Sequence, residues 1–293
     1  MNRILFEEDE QTAYLPAADP RAEHIRSVLR AREGDEISIG IVNGVRGTAR
    51  ILDISEEGVR LECRFEEAVG ELAPIHCILG HPRPIVLKRL LRDLTTIGLS
   101  GILVCGTELG EKSYLRSNLW VKEGVRPYLV AGAGQAGGTQ IPVVEKYYSV
   151  ASGLKRLAEL RTAASPAAAG PGTQTAGPYG LEDRHGEELR IALHGAAEPG
   201  AQAHAQVHAQ ARAQVEEPGD IASLERVLFD EWAPRQPSRI VYAVGSERGF
   251  TESELAALRK SGFRFVSLGE RVLRTETAAT SMALVCRTAL RMR

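Results

Sequence analysis

Between residues 36 and 65, apolar and polar positions alternate in three short runs: EISIGIV (36–42), VRGTARILDI (45–54) and VRLECRF (59–65). A period of two is the mark of a strand with one buried face. Asn43-Gly44 separates the first two runs and Ser55-Glu56-Glu57-Gly58 the last two. Asn-Gly between such runs predicts a hairpin, because both residues tolerate the left-handed backbone of a tight turn. The pattern therefore predicts a small β-rich unit over residues 1–70, with one helix ahead of its strands. Arg21, Arg26, Arg30 and Arg32 lie on or beside that helix. Arg26 and Arg30 stand one helical turn apart, as a solvated face or a phosphate-contacting patch would place them.

From residue 74 the pattern changes. IHCILG (75–80) runs into PIVLKRLLRDLTTI, where Pro84 suits a first helical position and Gly98 a helix stop. GILVC (101–105) reads as the next strand, and mostly helical sequence follows to about Arg161. LRIALH (189–194), IASLERVLFDEW, RIVYAV (239–244) and FRFVSL (263–268) continue the alternation of strand and helix. Alternation of this kind predicts an α/β domain over residues 74–293, with a mostly parallel sheet covered by helices. After RIVYAV, Thr251 and Glu254 form a capping box, Phe250 and Leu255 occupy the staple positions, and Gly262 ends the helix. The loop GSERGF (245–250) is thus fixed at both ends. The last helix carries no charge from Thr277 to Cys286, which predicts burial nearly all round.

Composition narrows the class. Charged residues make up 25% and hydrophobic residues 43% of 293, and the net charge is −2. These values fit a soluble globular protein and exclude one that coats nucleic acid by overall charge, while leaving local basic patches open. The start MNRILFEEDE reads as neither a signal nor a transit peptide, and no apolar run suits a membrane span, so a cytoplasmic location is expected. Cys63, Cys77, Cys105 and Cys286 form no CxxC pair, so buried reduced thiols are expected rather than a zinc site or disulfides. Residues 162–188 and 195–219 are rich in Ala, Gly, Pro, Gln and His and read as mobile insertions. His204 and His208 fall in the second, with no third metal ligand nearby. AGAGQAGG holds a formal GxGxxG at Gly132, Gly134 and Gly137, but no helix follows it, so a dinucleotide site is not expected. No serine, cysteine or carboxylate is arranged in sequence around His24, His76 or His81, so a hydrolytic triad has no local support.

Two strand-to-helix loops remain, GSERGF and LGERVLRTETA. Thr275 is placed as an N-cap for the last helix, which puts Glu276 in the first turn where the dipole favours a carboxylate. A structural ion pair between Arg274 and Glu276 would also account for those two residues taken alone.

Together, VGSERGFTESELAALRKSGFRFVSLGERVLRTETAA resembles the C-terminal signature of the SPOUT, or trefoil-knot, methyltransferases. Within them it is similar to the bacterial small-subunit ribosomal RNA uridine N3-methyltransferase family, which reads IGPEGGF and then SLG-x-RILRTETA. HIRSVLRAREGDEI and RPIVLKRLLRDLTTIGLSGILV extend the likeness over nearly the whole chain except the insertions. The resemblance implies a trefoil-knotted C-terminal sheet that holds S-adenosylmethionine, preceded by a small PUA-like β-barrel domain that binds RNA. It also implies a homodimer acting on small-subunit (16S) ribosomal RNA, with no metal and no membrane. The last helix would then be buried in the knot and the dimer interface.

Carried over by position, the cofactor loops are Leu193 and His194, then Gly245, Ser246, Glu247 and Gly249, then Leu268, Gly269, Leu273, Arg274, Thr275, Thr277 and Ala278. Arg274 is the candidate for stabilising charge on the base, and Glu276 or Glu247 for handling the proton. Arg26, Arg30, Arg46 and Arg50 are the candidate phosphate contacts. Three positions depart from the family: Ser246 replaces its proline, Arg248 its second glycine, and Gly138 an arginine. Two other readings stay open on these residues: a related enzyme acting on another base or a ribose hydroxyl, and an RNA-binding assembly factor without catalysis.

Overall fold

The computed structural model describes residues 2–8, 10, 13–66, 70–121, 124–163, 187–194, 222–232 and 237–291. Most of both segments read as insertions, His204 and His208 included, lies outside these residues. In chain order the elements are β1 (Ile4–Phe6), β2 (Tyr14–Pro16), α1 (Pro20–Glu23), β3 (Glu36–Ile41), β4 (Arg46–Ile54), β5 (Gly58–Phe65), β6 (Ala73–Gly80), α2 (Pro84–Ile97), β7 (Leu99–Cys105), α3 (Arg126–Gln135), β8 (Val143–Tyr147), α4 (Val150–Ala163), β9 (Glu188–Leu193), β10 (Ala222–Ser223), β11 (Arg239–Val244), α5 (Glu252–Lys260), β12 (Arg264–Ser267) and α6 (Thr275–Arg291). The chain divides into two compact units. One comprises Met1–Leu72, Leu91–Gly98 and Arg126–Ile141, and the other Ala73–Leu90, Leu99–Val125 and Pro142–Arg293.

The first unit holds a five-stranded mixed sheet in the order β1-β3-β4-β5-β2, a curled half-barrel. β1 joins β3 in parallel and the other ladders are antiparallel. The predicted hairpin is present: Asn43 takes φ 59° and Gly44 N–H bonds Ile41 O at 2.9 Å. The inner face packs Phe6, Leu15, Ile25, Ile39, Ile51 and Val59 into one core. The predicted helix is only one α-turn, Pro20–Glu23, followed by a π-helical turn, His24–Leu29. Arg30 lies beyond its end with φ 52°, so Arg26 and Arg30 do not share the helical face that their spacing suggested.

Segment 126–141 belongs to this unit, and it explains the glycine run. The run occupies the end of α3, where Gly137 (φ 69°) donates to Gly134 O at 3.0 Å and Gly138 to Ala133 O at 2.9 Å. This is a Schellman stop. A Cβ on Gly132 would fall 2.5 Å from Arg92 O, and one on Gly134 2.7 Å from Arg3 O. Close packing, not dinucleotide binding, requires these glycines. Thr139 then bonds the hairpin through Asn43 N–H to Thr139 O (2.9 Å) and Thr139 Oγ1 to Gly44 O (2.8 Å).

The second unit is built on an all-parallel seven-stranded sheet, ordered β10-β12-β9-β11-β6-β7-β8. β8 falls in sequence that periodicity reads as helical: VVEKY is short, half-buried throughout and sits at the sheet edge, so neither alternation nor an apolar run marks it. α4 and α5 share a core with the sheet through Leu103, Val150, Leu157, Val241, Leu255 and Phe265. α6 packs on β6 and β11, with Tyr242 donating its hydroxyl to Ala279 O at 3.1 Å. Of α6, Ala278, Ala279, Met282, Ala283 and Cys286 are buried, but Leu284 is 54% exposed. In the single chain the helix therefore buries one face, not its whole circumference. Among the described residues, no helix is long and apolar enough to cross a membrane.

Midway along β6, His76 is fully buried, its ring lying against Gly101 of β7. Burial, helped by nearby Arg239, pushes its pKa down to about 3, so the imidazole is neutral in the fold. Unfolded, it titrates near 6.5. Between those values the unfolded chain binds the extra proton, so stability present above about pH 6.5 is lost as pH falls, by up to about 1.4 kcal/mol per unit. His76→Gln should flatten the fall of thermal midpoint between pH 7 and 4.5 relative to wild type; coincident profiles would show that His76 carries no such load.

Candidate functional site

All strands of the seven-stranded sheet run the same way, so the loops after β6, β7, β9, β11 and β12 emerge at one edge. Open α/β sheets bind ligands at this carboxyl edge. After β11, Ser246 to Gly249 make a tight turn: Gly249 N–H bonds Ser246 O at 2.9 Å, and Gly249 takes φ 74°. A Cβ on Gly245 would meet Gly249 Cα at 2.8 Å, so both glycines are required by the turn itself. Arg248 is exposed at its third position. The close backbone approach that a side chain would spoil occurs at Gly245 instead.

Two polar ties hold this turn, and a third holds the helix start after it. The buried Ser246 hydroxyl lies 2.9 Å from Thr107 Oγ1 in the loop after β7. Glu247 Oε1 accepts from Arg83 N–H at 2.8 Å in the loop after β6. Glu108 accepts the hydroxyls of Thr251 (2.8 Å) and Ser253 (2.7 Å), which hold its pKa below the ordinary carboxylate value. The predicted capping box is complete. Thr251 Oγ1 accepts from Glu254 N at 3.3 Å, and Glu254 Oε2 accepts from Thr251 N at 2.9 Å. The other oxygen of Glu254 accepts from Glu108 N–H at 3.0 Å.

His81, buried beside this turn, is a spacer rather than a base. The Trp120 indole N–H can only donate, so His81 Nε2 accepts it at 2.9 Å and Nδ1 carries the proton toward Pro82 O at 2.7 Å. Burial lowers its pKa further from the ordinary value.

The remaining cofactor candidates sit on the neighbouring strands. Leu193 ends β9 and His194 follows it, where His194 N–H bonds Val266 O at 3.0 Å and its ring meets Phe265 edge-on. Leu268 is half-buried and Gly269 takes φ 110°, with both its N–H and O bonded to Ser267 Oγ. Leu273, Arg274 and Thr277 are exposed, Glu276 is half-buried, and Thr275 and Ala278 are buried. Thr275 is the first residue of α6 and not its cap: the first-turn bond runs from Ala278 N–H to Arg274 O at 2.9 Å, which shifts the boundary by one. Glu276 stays in the first turn.

The four candidate RNA contacts are not equivalent. Arg26 is tied down, donating to Ser55 O (3.0 Å) and Ala17 O (3.3 Å) beside Glu23. Arg46 is half-buried, whereas Arg30 and Arg50 are exposed. Arg60 and Arg64 are also exposed, on the same face of β5 as Glu62, which lies between them and opposite Arg50. The alternation in VRLECRF already placed them on one outward face.

Comparison with known proteins places the chain. A model of the RNA methyltransferase domain matches residues 70–193 and 197–286, and one of the RNA methyltransferase PUA domain matches 18–62. The chain belongs to this RNA methyltransferase family. Ribosomal RNA small subunit methyltransferase E of Treponema pallidum is 35% identical over 291 residues, covering 97% of this chain and 90% of its own. Ribosomal RNA small subunit methyltransferase E 1 of Borreliella burgdorferi is 25% identical over 288 residues, covering 97% of each. The fold is shared with the Neisseria gonorrhoeae ribosomal RNA small subunit methyltransferase E bound to S-adenosylmethionine, at TM-score 0.62 and 19% identity over 98% of this chain and 97% of that one. A Legionella pneumophila methyltransferase solved with the same cofactor gives TM-score 0.65 at 19% identity, covering 99% and 98%.

A Cβ on Gly80, the last residue of β6, would overlap the Ser246 backbone nitrogen. Gly80→Ala must therefore displace the turn or the strand. The variant should lose about 1–3 kcal/mol of stability, read as a lower thermal midpoint. An unchanged midpoint would show that the turn shifts at no cost.

Proposed function

We propose that this protein transfers a methyl group from S-adenosylmethionine to N3 of a uridine in small-subunit ribosomal RNA, working as a cytoplasmic homodimer. One observation carries the proposal: the loops after β6, β9, β11 and β12 open on one edge of a parallel sheet in a chain of this family, and two of them hold Gly245, Gly249, Gly269 and the RTETA run on which the resemblance rests. The residues fit the cofactor. Gly249 and Gly269 leave backbone exposed at positive φ with open space where a Cβ would stand, and the buried Gly245 lets the turn after β11 close. Bound there, S-adenosylmethionine supplies an electrophilic methyl group. The trefoil knot is part of the same proposal.

The chain's own part is to position the base and stabilise charge. Losing the N3 proton leaves negative charge on the uracil oxygens, and a preorganised cation offsets it. Arg274, at the start of α6, fills that role, and Glu276 in the first turn orients the base or takes the proton. Glu247 already has one oxygen committed to the Arg83 amide, so its main work is to hold the turn. The exposed stripe on α6, with Leu284, is where a second copy would pack.

Small subunits lacking the modification serve as substrate, and methylation at N3 reads as a reverse-transcription stop because it blocks the pairing edge. Arg274→Ala should lower methyl transfer about 10²- to 10³-fold while leaving S-adenosylmethionine affinity within a few-fold. Equal losses of rate and affinity would make Arg274 a clamp of the loop. No stop with the wild-type protein would turn the reading toward another base or a ribose hydroxyl.

RNA binding is assigned to the first unit, on the outward face of β4 and β5. Replacing Arg50, Arg60 and Arg64 by alanine should reduce the slope of log K against log salt by about 0.7 to 0.9 for each phosphate that the variant no longer neutralises. Arg26→Ala should instead lower thermal stability, because its guanidinium bonds two backbone carbonyls. An unchanged slope in the triple variant would return that face to plain solvent exposure.

A further inference from the structure

The edge strand β8 ends in Lys146-Tyr147 and is followed by Tyr148, a stretch that the proposed reaction does not use. Tyr148 is 72% exposed at the carboxyl edge of the sheet, yet its backbone is held on both sides. Gly106 N–H bonds Tyr147 O at 2.9 Å, and a Cβ on Gly106 would fall 2.6 Å from Tyr148 O. The next residue, Ser149, opens α4 through reciprocal bonds with Ser152 at 3.2 and 3.1 Å. Lys146 Nζ lies 5.6 Å from the Tyr148 ring centroid and 5.5 Å from that of Trp120, and donates to Leu115 O at 3.0 Å. Tyr148 thus combines a fixed backbone, a cation beside its ring and a broad exposed surface.

This cluster is continuous with the cofactor turn. Trp120 bonds His81, His81 adjoins Pro82 and Arg83, and the Arg83 amide bonds Glu247. β11 and β8 are three strand positions apart, about 14 Å by the usual spacing. A short run of single-stranded nucleotides spans that distance.

We infer that Tyr148, backed by Lys146, is a stacking platform for an unpaired RNA base flanking the target uridine. The inference rests on the RNA-methylation reading above. N3 lies on the pairing edge, so the target must be unpaired at reaction, and its neighbours lose stacking partners as it enters the site. An exposed tyrosine replaces such a partner for any base, because every base has a π face. The Lys146 ammonium keeps donors beyond the Leu115 bond and places positive charge where the connecting phosphate runs. An apolar peptide partner would call for a contiguous apolar surface, whereas the ring here is flanked by Lys146 and Ser149.

Steady-state methylation of unmodified small-subunit RNA by Tyr148→Ala, Tyr148→Phe and Tyr148→Trp tests this, with S-adenosylmethionine affinity, thermal midpoint and sedimentation measured on each. The alanine variant should raise KM for RNA about 5- to 100-fold, with kcat, cofactor affinity and oligomeric state unchanged, and the phenylalanine and tryptophan variants should restore KM to within about threefold. An unchanged KM in the alanine variant, or no restoration by the aromatic variants, overturns the platform while leaving the methylation reading standing. A shift in oligomeric state on Tyr148→Ala would assign the ring to a protein interface and overturn it too. Wild-type protein that methylates no RNA removes the parent reading and the platform with it.

Discussion

The close passage of Ser246 across Gly80 constrains the rest of the second unit. Where β6 and β11 end side by side, the backbone after β11 crosses so near Gly80 that no side chain fits between them. A turn confined in this way can have only one path, and small residues at Gly80, Gly245 and Gly249 are the condition for it. Every tie around the site follows from that path. Ser246 meets Thr107, Glu247 meets the Arg83 amide, and the cap of α5 falls within reach of Glu108.

The capping box shows how a local rule is reused at longer range. One oxygen of Glu254 closes the start of α5 in the ordinary way, and the other accepts the Glu108 amide from the loop after β7. Glu254 is buried, so both oxygens need partners, and a buried carboxylate with one oxygen unpaired would be costly. A residue required by the helix therefore also fixes the distance between two loops of the site. Ser246 acts similarly: its hydroxyl supplies a buried bond to Thr107 at a position that the resemblance fills with proline.

Much of this was legible in the sequence because its causes are local. The three alternating runs, the Asn-Gly hairpin, the alternation of strands and helices, and the start and stop of α5 all follow from neighbours within a few residues. What escaped depends on distant partners. β1 and β2 are three residues each and exist as strands only because β3 and β5 pair with them. β8 is an edge strand without alternation, and Gly132 and Gly134 of α3 are explained by Arg92 and Arg3, remote in sequence. The division of the chain into two units, with segments 91–98 and 126–141 joining the first, cannot be read from a composition shift. Arg60 and Arg64 were visible in the pattern, whereas the anchoring of Arg26 by two carbonyls was not.

The three positions that depart from the signature each have a local structural account. The turn after β11 presents its backbone, so the side chain at its third position is free to vary as long as it points outward, and Arg248 is exposed. Ser246 is buried and had to find a partner, which Thr107 supplies. Gly138 lies in the first unit, where its amide completes the stop of α3. The path of the turn thus depends on its glycines and its hydrogen-bonding neighbours more than on its exposed side chains. The charge-free face of α6 obeys the same logic in reverse. Its inner half is explained by β6 and β11, but Leu284 at 54% exposure and Val272 at 98% in the preceding loop are not. Uncharged sequence on both faces of a helix matches burial on both faces, and within one chain only one of them is covered.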